Sequence, residues 1–293
     1  MFRNVHIGVD GGPTGRDAIW LAHALTEPSA RLTLTHVRSG EMAPGGVLGR
    51  AFGAAGPEDA QRLLEAERDA AAVGAELIDV CARSVGRGLH ALAEQHAADL
   101  LVVGSHARGP LGGVLMSDET RAALTGTPCA VAIAPRGYSG HDTGFATIGV
   151  GYDYSGESRA ALAAARGLAN HFASKISALH VITLPKGAST GPGDWAEVLD
   201  EGRKYAQEKL ESLEGVDATA LYGIPGKELA ALSDRVDLLV VGSRNHGPVR
   251  RLLLGSTSSS LACHAHCPLL VLPRGSTGEA KLAVEDGGAS PPS

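Results

Sequence analysis

The chain has 293 residues, a length typical of two domains of ordinary size. Its net charge of −6, with no long run of one sign, argues against nucleic acid or an anionic membrane as the main partner. No window is apolar enough to span a membrane, the N-terminus enters a strand-like run directly, and 4 cysteines are too few for a disulfide framework. We therefore expect a soluble, cytoplasmic protein that binds neither nucleic acid nor membrane.

The second part of the chain repeats the first. Residues 99–105, Asp-Leu-Leu-Val-Val-Gly-Ser, return unchanged at 237–243, and the Pro-Arg-Gly of 135–137 returns at 273–275 with the same offset. Self-similarity of this kind indicates two copies of one small fold rather than one large fold.

We predict two tandem domains, called here the first copy (residues 1–138) and the second copy (residues 144–275). A short linker near Gly137–Gly144 joins them, and residues 276–293 are predicted to form a disordered tail.

In the first copy, strand and helix patterns alternate along the chain. Strands are predicted at 4–9, 31–37, 77–85, 99–103 and 129–134. Helices are predicted from a cap at Thr14 to Leu25 and at 57–73, 88–96 and 117–124, with a Gly-rich loop at 39–56.

The second copy shows the same order of elements. Its first strand is predicted to end at 151, and the later strands are predicted at 175–182, 218–222, 237–241 and 269–272. Its helices are predicted from about 155, at 196–213, at 226–232 and from about 255, and the loop 185–193 is a candidate lid.

Alternating strands and helices with continuous apolar central strands predict a parallel sheet covered by helices on both faces. Each copy is thus expected to be a Rossmann-like α/β domain with a five-stranded parallel sheet. Sheets of this type bind ligands beyond the carboxyl ends of their strands. Two loops at that edge have suitable chemistry: the loop carrying Asp10 or Asp153, and the Gly-rich loop after the Asp-Leu-Leu-Val-Val strand.

The Gly-rich loop of the second copy runs from Gly242 to a predicted helix start at Gly255. Glycines let backbone N–H groups approach phosphate oxygens, and a helix N-terminus attracts anions. The hydroxyls of Ser256 and Thr257 stand at the helix start. The positive charges of the loop are Arg244, Arg250 and Arg251.

This loop resembles the nucleotide-binding motif of the universal stress protein family, Gly-x2-Gly-x9-Gly-(Ser/Thr). Gly242, Gly255 and Ser256 match the motif, and Asn245 replaces its second glycine. The resemblance extends over nearly the whole chain as two tandem domains. It implies an adenine nucleotide alpha hydrolase-like fold that binds ATP or AMP, with or without magnesium.

By this resemblance Asp153 faces the adenosine, Val181 contacts the base, and Gly242, Gly255 and Ser256 hold the ribose and phosphates. The full set of expected nucleotide-binding residues is Gly151, Tyr152, Asp153, Val181, Val241, Gly242, Asn245, Gly255, Ser256 and Thr257.

The first copy departs from the motif, with Ala107, Ser117 and Asp118 at the positions of Asn245, Gly255 and Ser256. An aspartate near a phosphate repels it. We therefore expect nucleotide in the second copy and weak or no binding in the first. The weaker candidates in the first copy are Asp10, Val37 and Gly104.

Several of these residues have a purely structural alternative. Asp10 and Asp153 are also suited to turns or helix caps. Arg16 and Arg159 are expected on a solvated helix face, and the histidines that end the second strands, His36 and His180, are explained by packing.

The segment 263–267, Cys-His-Ala-His-Cys, has the residue types of a zinc site. A buried cysteine beside a helix C-terminus is the preferred interpretation, because the first copy has one cysteine and no histidine there. No metal site and no catalytic residue are predicted.

The resemblance implies an adenine-nucleotide-binding stress-response regulator. The alternatives are a slow ATP hydrolase or nucleotidyl- or phosphoryl-transfer enzyme, and an interaction scaffold that binds no nucleotide. The last strands, 129–134 and 269–272, are expected to pair with each other within the chain, and a homodimer is left open.

Overall fold

The computed structural model describes residues 1–39, 56–105, 125–141, 144–184, 195–243 and 255–273. Its strands are β1 (Phe2–Gly8), β2 (Thr26–Ser39), β3 (Ala75–Ala82), β4 (Leu100–Gly104), β5 (Ala130–Ala134), β6 (Thr147–Gly151), β7 (Lys175–Ile182), β8 (Val216–Tyr222), β9 (Leu238–Gly242) and β10 (Leu269–Leu272). Its helices are α1 (Pro13–Leu25), α2 (Pro57–Ala71), α3 (Val85–Gln95), α4 (Gly156–Phe172), α5 (Trp195–Glu211), α6 (Pro225–Leu232) and α7 (Ser256–His264).

All described strands join one sheet in the order β3-β2-β1-β4-β5-β10-β9-β6-β7-β8. Within each copy the strands are parallel and lie in the order third, second, first, fourth, fifth. The chain therefore switches from one side of the first strand to the other between the third and fourth strands. The prediction of two Rossmann-like α/β domains is confirmed.

The two copies meet along a seam formed by β5 and β10. These strands pair antiparallel, with Leu269 opposite Ile133 and Val271 opposite Val131. The predicted pairing of the last strands is confirmed, and each one covers the edge that the other copy would expose. Since the seam is antiparallel, the carboxyl ends of the two sets of strands lie at opposite edges of the sheet.

Most predicted elements lie where the pattern placed them, and β7 and β10 have the predicted bounds. The cap at Thr14 is wrong, because α1 begins at Pro13 after Gly12, and the Thr14 hydroxyl donates to Asp10 Oδ2 over 2.8 Å. A proline has its φ preset for the first helical position.

The predicted bounds of the third strand, 77–85, and of the following helix, 88–96, are also wrong. Strand β3 ends at Ala82, and Ser84 caps α3 by accepting a hydrogen bond from the Arg87 N–H. The helix therefore begins three residues earlier, at Val85. Several predicted segments lie outside the described residues: the helix 117–124, the loop 185–193 and the tail 276–293. Of the predicted loop 39–56, only the two end residues are described.

Each face of the sheet carries its own hydrophobic core. One core joins α1, α2, α4 and α5 and includes Leu21, Leu64, Leu162 and Leu210. The other joins α3, α6 and α7 and includes Leu89, Leu229 and Leu261. Both cores extend from one copy into the other across the shared sheet.

The linker between the copies is fastened to α1. The Asp17 side chain is buried, and its carboxylate accepts the Gly137 N–H over 2.8 Å and the Ser139 N–H over 2.7 Å. One turn further along α1, the Trp20 indole donates to the His141 carbonyl over 2.7 Å. Residues 137–141 are thus held on α1 by the buried Asp17 and the half-buried Trp20.

The edge strand β8 is covered by a side chain of α5. The Gln207 amide donates to the Ala218 carbonyl over 2.8 Å and accepts the Ala220 N–H over 2.9 Å. These are the two bonds that a neighbouring strand would make, so Gln207 occupies part of this edge. In the segments described, no helix is long and apolar enough to cross a membrane.

Candidate functional site

A cavity of about 290 Å³ opens at the carboxyl edge of the second copy. It lies beyond β6, β7 and β9, at the point where the strand order of this copy reverses, which is where open parallel sheets bind ligands. Its walls are Gly151, Tyr152, Asp153, Ser155, Glu157, Ser158, Leu179, Val181, Pro225, Leu229, Val241, Gly242, Gly255, Ser256, Thr257 and Ser258. The described residues of the predicted set all lie on it. Asn245 and the three arginines of the loop fall outside the described residues.

Asp153 follows β6 in a tight turn that leads into α4. Its Oδ1 accepts the Ser155 N–H over 3.1 Å and also the Ser155 hydroxyl. Ser155 in turn caps α4 by accepting the Ser158 N–H over 3.1 Å. Asp153 therefore has the structural role considered as the alternative, and it also lines the cavity.

Asp10 makes the corresponding turn in the first copy. Its carboxylate accepts the Gly12 N–H over 2.9 Å and the Thr14 hydroxyl over 2.8 Å. Asp10, Val37 and Gly104 lie at the carboxyl ends of the adjacent strands β1, β2 and β4, which is the matching edge of the first copy. The substituted positions 107, 117 and 118 are outside the described residues.

His36 and His180 do more than pack. The His180 Nδ1 lies 2.9 Å from the Tyr152 carbonyl, and the His36 Nδ1 lies 2.9 Å from the Val9 carbonyl. A carbonyl only accepts, so Nδ1 carries the proton in both rings. Each histidine thus holds the residue that precedes the strand-end aspartate, and packing alone is an incomplete explanation.

The glycines that end β4 and β9 allow a close approach of the backbone. A Cβ at Gly242 would lie 2.6 Å from the Glu157 carbonyl oxygen, and one at Gly104 would collide with the Thr14 carbonyl oxygen. Both positions exclude a side chain, so the first turns of α4 and α1 pack directly on these strand ends.

Helix α7 points its N-terminus at the cavity. Gly255 is the N-cap, Ser256 and Thr257 open the helix, and its first turn contains no acidic residue. The first N–H groups of a helix lack partners within it and carry a partial positive charge. This end of the cavity therefore favours an anion.

Part of the cavity wall is apolar. Leu179 and Val181 come from β7, Val241 from β9, and α6 contributes Pro225 and Leu229. Helix α6 reaches this position by packing on α7, where a Cβ at Gly226 would lie 2.7 Å from the Ser260 Cβ. The wall residues that the motif did not predict are Ser155, Glu157, Ser158, Leu179, Pro225, Leu229 and Ser258.

The two arginines expected on a solvated face have specific partners. Arg16 forms an ion pair with Glu67 at 3.3 Å, and the Arg159 guanidinium donates to the Tyr154 carbonyl over 2.7 Å. Neither residue lines the cavity.

The histidines and cysteines of 263–267 are engaged separately. His264 Nδ1 lies 2.8 Å from the Ser260 carbonyl, and His266 pairs with Asp234 at 2.7 Å. Burial raises the pKa of the Cys267 thiol to about 12, which disfavours a metal-binding thiolate. Within the described ranges, no three His, Cys, Asp or Glu side chains are grouped as a metal ion would require.

Fold and cavity together define a class: a tandem α/β protein with Rossmann-like copies and a ligand-sized cavity at the switch point of the second. The Universal stress protein family matches residues 1–135 and 144–273. The chain therefore belongs to the universal stress protein family.

Curated relatives agree with this assignment, and a solved structure shares the fold. A universal stress protein of Mycobacterium bovis is 30% identical over 207 residues, covering 65% of this chain and 70% of the relative. A Thermus aquaticus universal stress protein is 31% identical over 136 residues, covering 44% of this chain and 98% of the relative. The crystal structure of a universal stress protein from Archaeoglobus fulgidus superposes with a TM-score of 0.66 at 18% identity, covering 93% of this chain and 98% of that one, and so shares the fold.

Proposed function

We propose that the second copy binds an adenine nucleotide, ATP or AMP, in the cavity beyond β6, β7 and β9. The observation that carries this proposal is the gathering around one cavity of Asp153, Val181, Gly242, Gly255 and Ser256, the residues to which the family resemblance gives nucleotide contacts. Its volume of about 290 Å³ is near the lower end of the range for small-molecule sites.

The cavity wall combines apolar and polar groups, as the parts of a nucleotide require. The apolar wall of Leu179, Val181 and Leu229 suits a flat base. The Asp153 carboxylate is an acceptor for ribose hydroxyls. The start of α7, with the hydroxyls of Ser256 and Thr257, suits phosphate oxygens, with or without magnesium.

The proposed role is regulatory: nucleotide occupancy changes the surface that a stress-response partner contacts. The first copy is proposed to bind nucleotide weakly or not at all and to serve as the structural partner of the second. The cytoplasmic location and the homodimer stay predictions.

The test is calorimetric titration of the full chain with ATP and with adenosine. Gly255→Asp places a carboxylate at the start of α7, and Asp is itself a good N-cap, so the helix should persist. Two like charges 4 Å apart repel by about 4 kcal/mol at an effective dielectric constant near 20. We expect ATP affinity to fall by at least about 100-fold while adenosine binding persists.

The matched control is Gly56→Asp, because Gly56 is also an extended N-cap glycine, on α2, remote from the cavity. This variant should bind ATP as the unchanged chain does. A chain that binds no adenine nucleotide, and releases none on heat denaturation, is the scaffold of the alternative interpretation. Phosphate release that scales with protein and disappears in Gly255→Asp would instead establish the enzyme.

A further inference from the structure

The turn that carries Asp153 contains a backbone conformation that side chains rarely adopt. Tyr154 has a φ of +63°, in the left-handed region. The first copy has Gly11 at the matching position, with a φ of +77°. Glycine takes this conformation without steric penalty, whereas tyrosine does not. An unfavourable conformation at the edge of a cavity persists where surrounding contacts determine it.

Those contacts come from three directions. The Tyr154 hydroxyl donates to the Ala206 carbonyl of α5 over 3.0 Å, and burial raises the pKa of this phenol, which keeps its proton. The Tyr154 ring meets the His180 ring edge-on with centroids 5.0 Å apart, and the Tyr152 ring at 5.2 Å. The Tyr154 carbonyl accepts a bond from Arg159.

His180 links these rings to the cavity wall. While its ring packs on Tyr154, its Nδ1–H donates to the carbonyl of Tyr152. Tyr152 and Asp153 both line the cavity, whereas Tyr154 and His180 do not. Tyr154 and His180 therefore contact Tyr152, and Tyr154 directly follows Asp153 in the chain, although neither residue lines the cavity itself.

We propose that Tyr154 and His180 form a clamp that fixes Tyr152 and Asp153 in the geometry that receives the adenosine end of the ligand. The clamp rests on the proposed function and assigns positioning roles to two residues that do not line the cavity. A wall fixed before the ligand arrives binds more tightly, because no ordering is needed on binding.

The first copy provides the internal comparison. It keeps the histidine, with the same 2.9 Å bond from His36 to the Val9 carbonyl, but has glycine in place of Tyr154. The histidine bond is thus shared by both copies, and the aromatic contact with Tyr154 belongs to the second. Loss of the shared bond should reduce stability equally in both copies, whereas loss of positioning should appear in the second copy alone.

The experiment titrates adenosine and ATP into four variants of the full chain. His180→Phe keeps a ring and removes the N–H, and Tyr154→Gly introduces the residue of the first copy. We expect both to weaken adenosine and ATP by the same factor, about tenfold, because the change is at the end that the two ligands share. His180→Asn, whose amide N–H can replace Nδ1–H, should bind within about threefold of the unchanged chain.

His36→Phe is the matched control. It should lower the midpoint of thermal unfolding as much as His180→Phe does and leave both affinities unchanged. The clamp is refuted if His180→Phe and Tyr154→Gly bind within about twofold of the unchanged chain, or if His36→Phe weakens binding equally. In those cases the proposed function stands. An unchanged chain that binds neither ligand overturns the function and the clamp together.

Discussion

Removal of the Asp17 carboxylate should loosen the connection between the two copies. Asp17 lies on α1 with a side chain 1% exposed and accepts two backbone N–H bonds from the linker, at 2.8 and 2.7 Å. Hydrogen bonds to a charged group contribute about 1.5 to 3 kcal/mol each to stability. Gly137 and Ser139 are exposed, so water can replace part of what the carboxylate provides.

We therefore expect Asp17→Ala to lower the free energy of unfolding by about 2 to 4 kcal/mol, less than two fully buried bonds would give. Asp17→Asn keeps one acceptor oxygen and turns an N–H group toward the other donor. Its free energy of unfolding should therefore lie between those of the unchanged chain and Asp17→Ala. Urea unfolding followed by circular dichroism measures both, and Asp217→Ala, an exposed aspartate on β8, is the control.

A second readout concerns cooperativity. With the linker fastened, we expect the two copies to unfold together, and in Asp17→Ala two transitions should begin to separate. A loss below about 0.5 kcal/mol, the usual range of surface substitutions, would refute the role given to this carboxylate.

Two further predictions concern the first-copy core and the sheet edge. Burial, and then His96, lower the pKa of His6 from 6.5 to about 4. Between pH 6.5 and 4 the imidazole of His6 is protonated in the unfolded chain and neutral in the native chain. The free energy of unfolding is therefore highest above pH 6.5 and falls by about 2 to 3 kcal/mol toward pH 4. His6→Gln should remove that share of the pH dependence. If the free energy of unfolding in urea changed equally between pH 7 and 4.5 in both proteins, the role of His6 would be contradicted. Gln207→Leu uncovers the outer edge of β8 and should raise the average mass in light scattering at high concentration, whereas Glu208→Leu on the same helix should not; equal masses would show that Gln207 does not protect the edge.

Much of the fold could be predicted from the sequence, because the repeat supplies each pattern twice. The segment 175–182 is a mostly apolar run with a β-branched end, and its predicted bounds are those of β7. The errors lie at element boundaries: β2 begins at Thr26 and not at 31, β3 ends at Ala82 and not at 85, and two helix starts are set by single hydrogen bonds. Nothing in the hydrophobic pattern distinguishes Thr14, whose hydroxyl bonds to Asp10, from Ser84, which caps α3.

The candidate site was predictable where its residues follow a strand directly. Asp153 and Gly242 sit at strand ends, and parallel topology alone brings strand ends together. Pro225 and Leu229 could not be predicted, because their place on the wall depends on how α6 packs on α7. The anchoring by Asp17 was also hidden, since an aspartate inside a helix is most often a surface residue.

The seam between β5 and β10 joins two copies within one chain, whereas a homodimer would join two identical subunits. Two separate copies would carry the same substitutions and present two equal sites, and their contact would depend on protein concentration. Here the partner is covalently attached, so its effective concentration is constant. Tandem fusion removes that equality: one copy can depart from the nucleotide-binding motif, as the first does at 107, 117 and 118, while the contact it provides is retained.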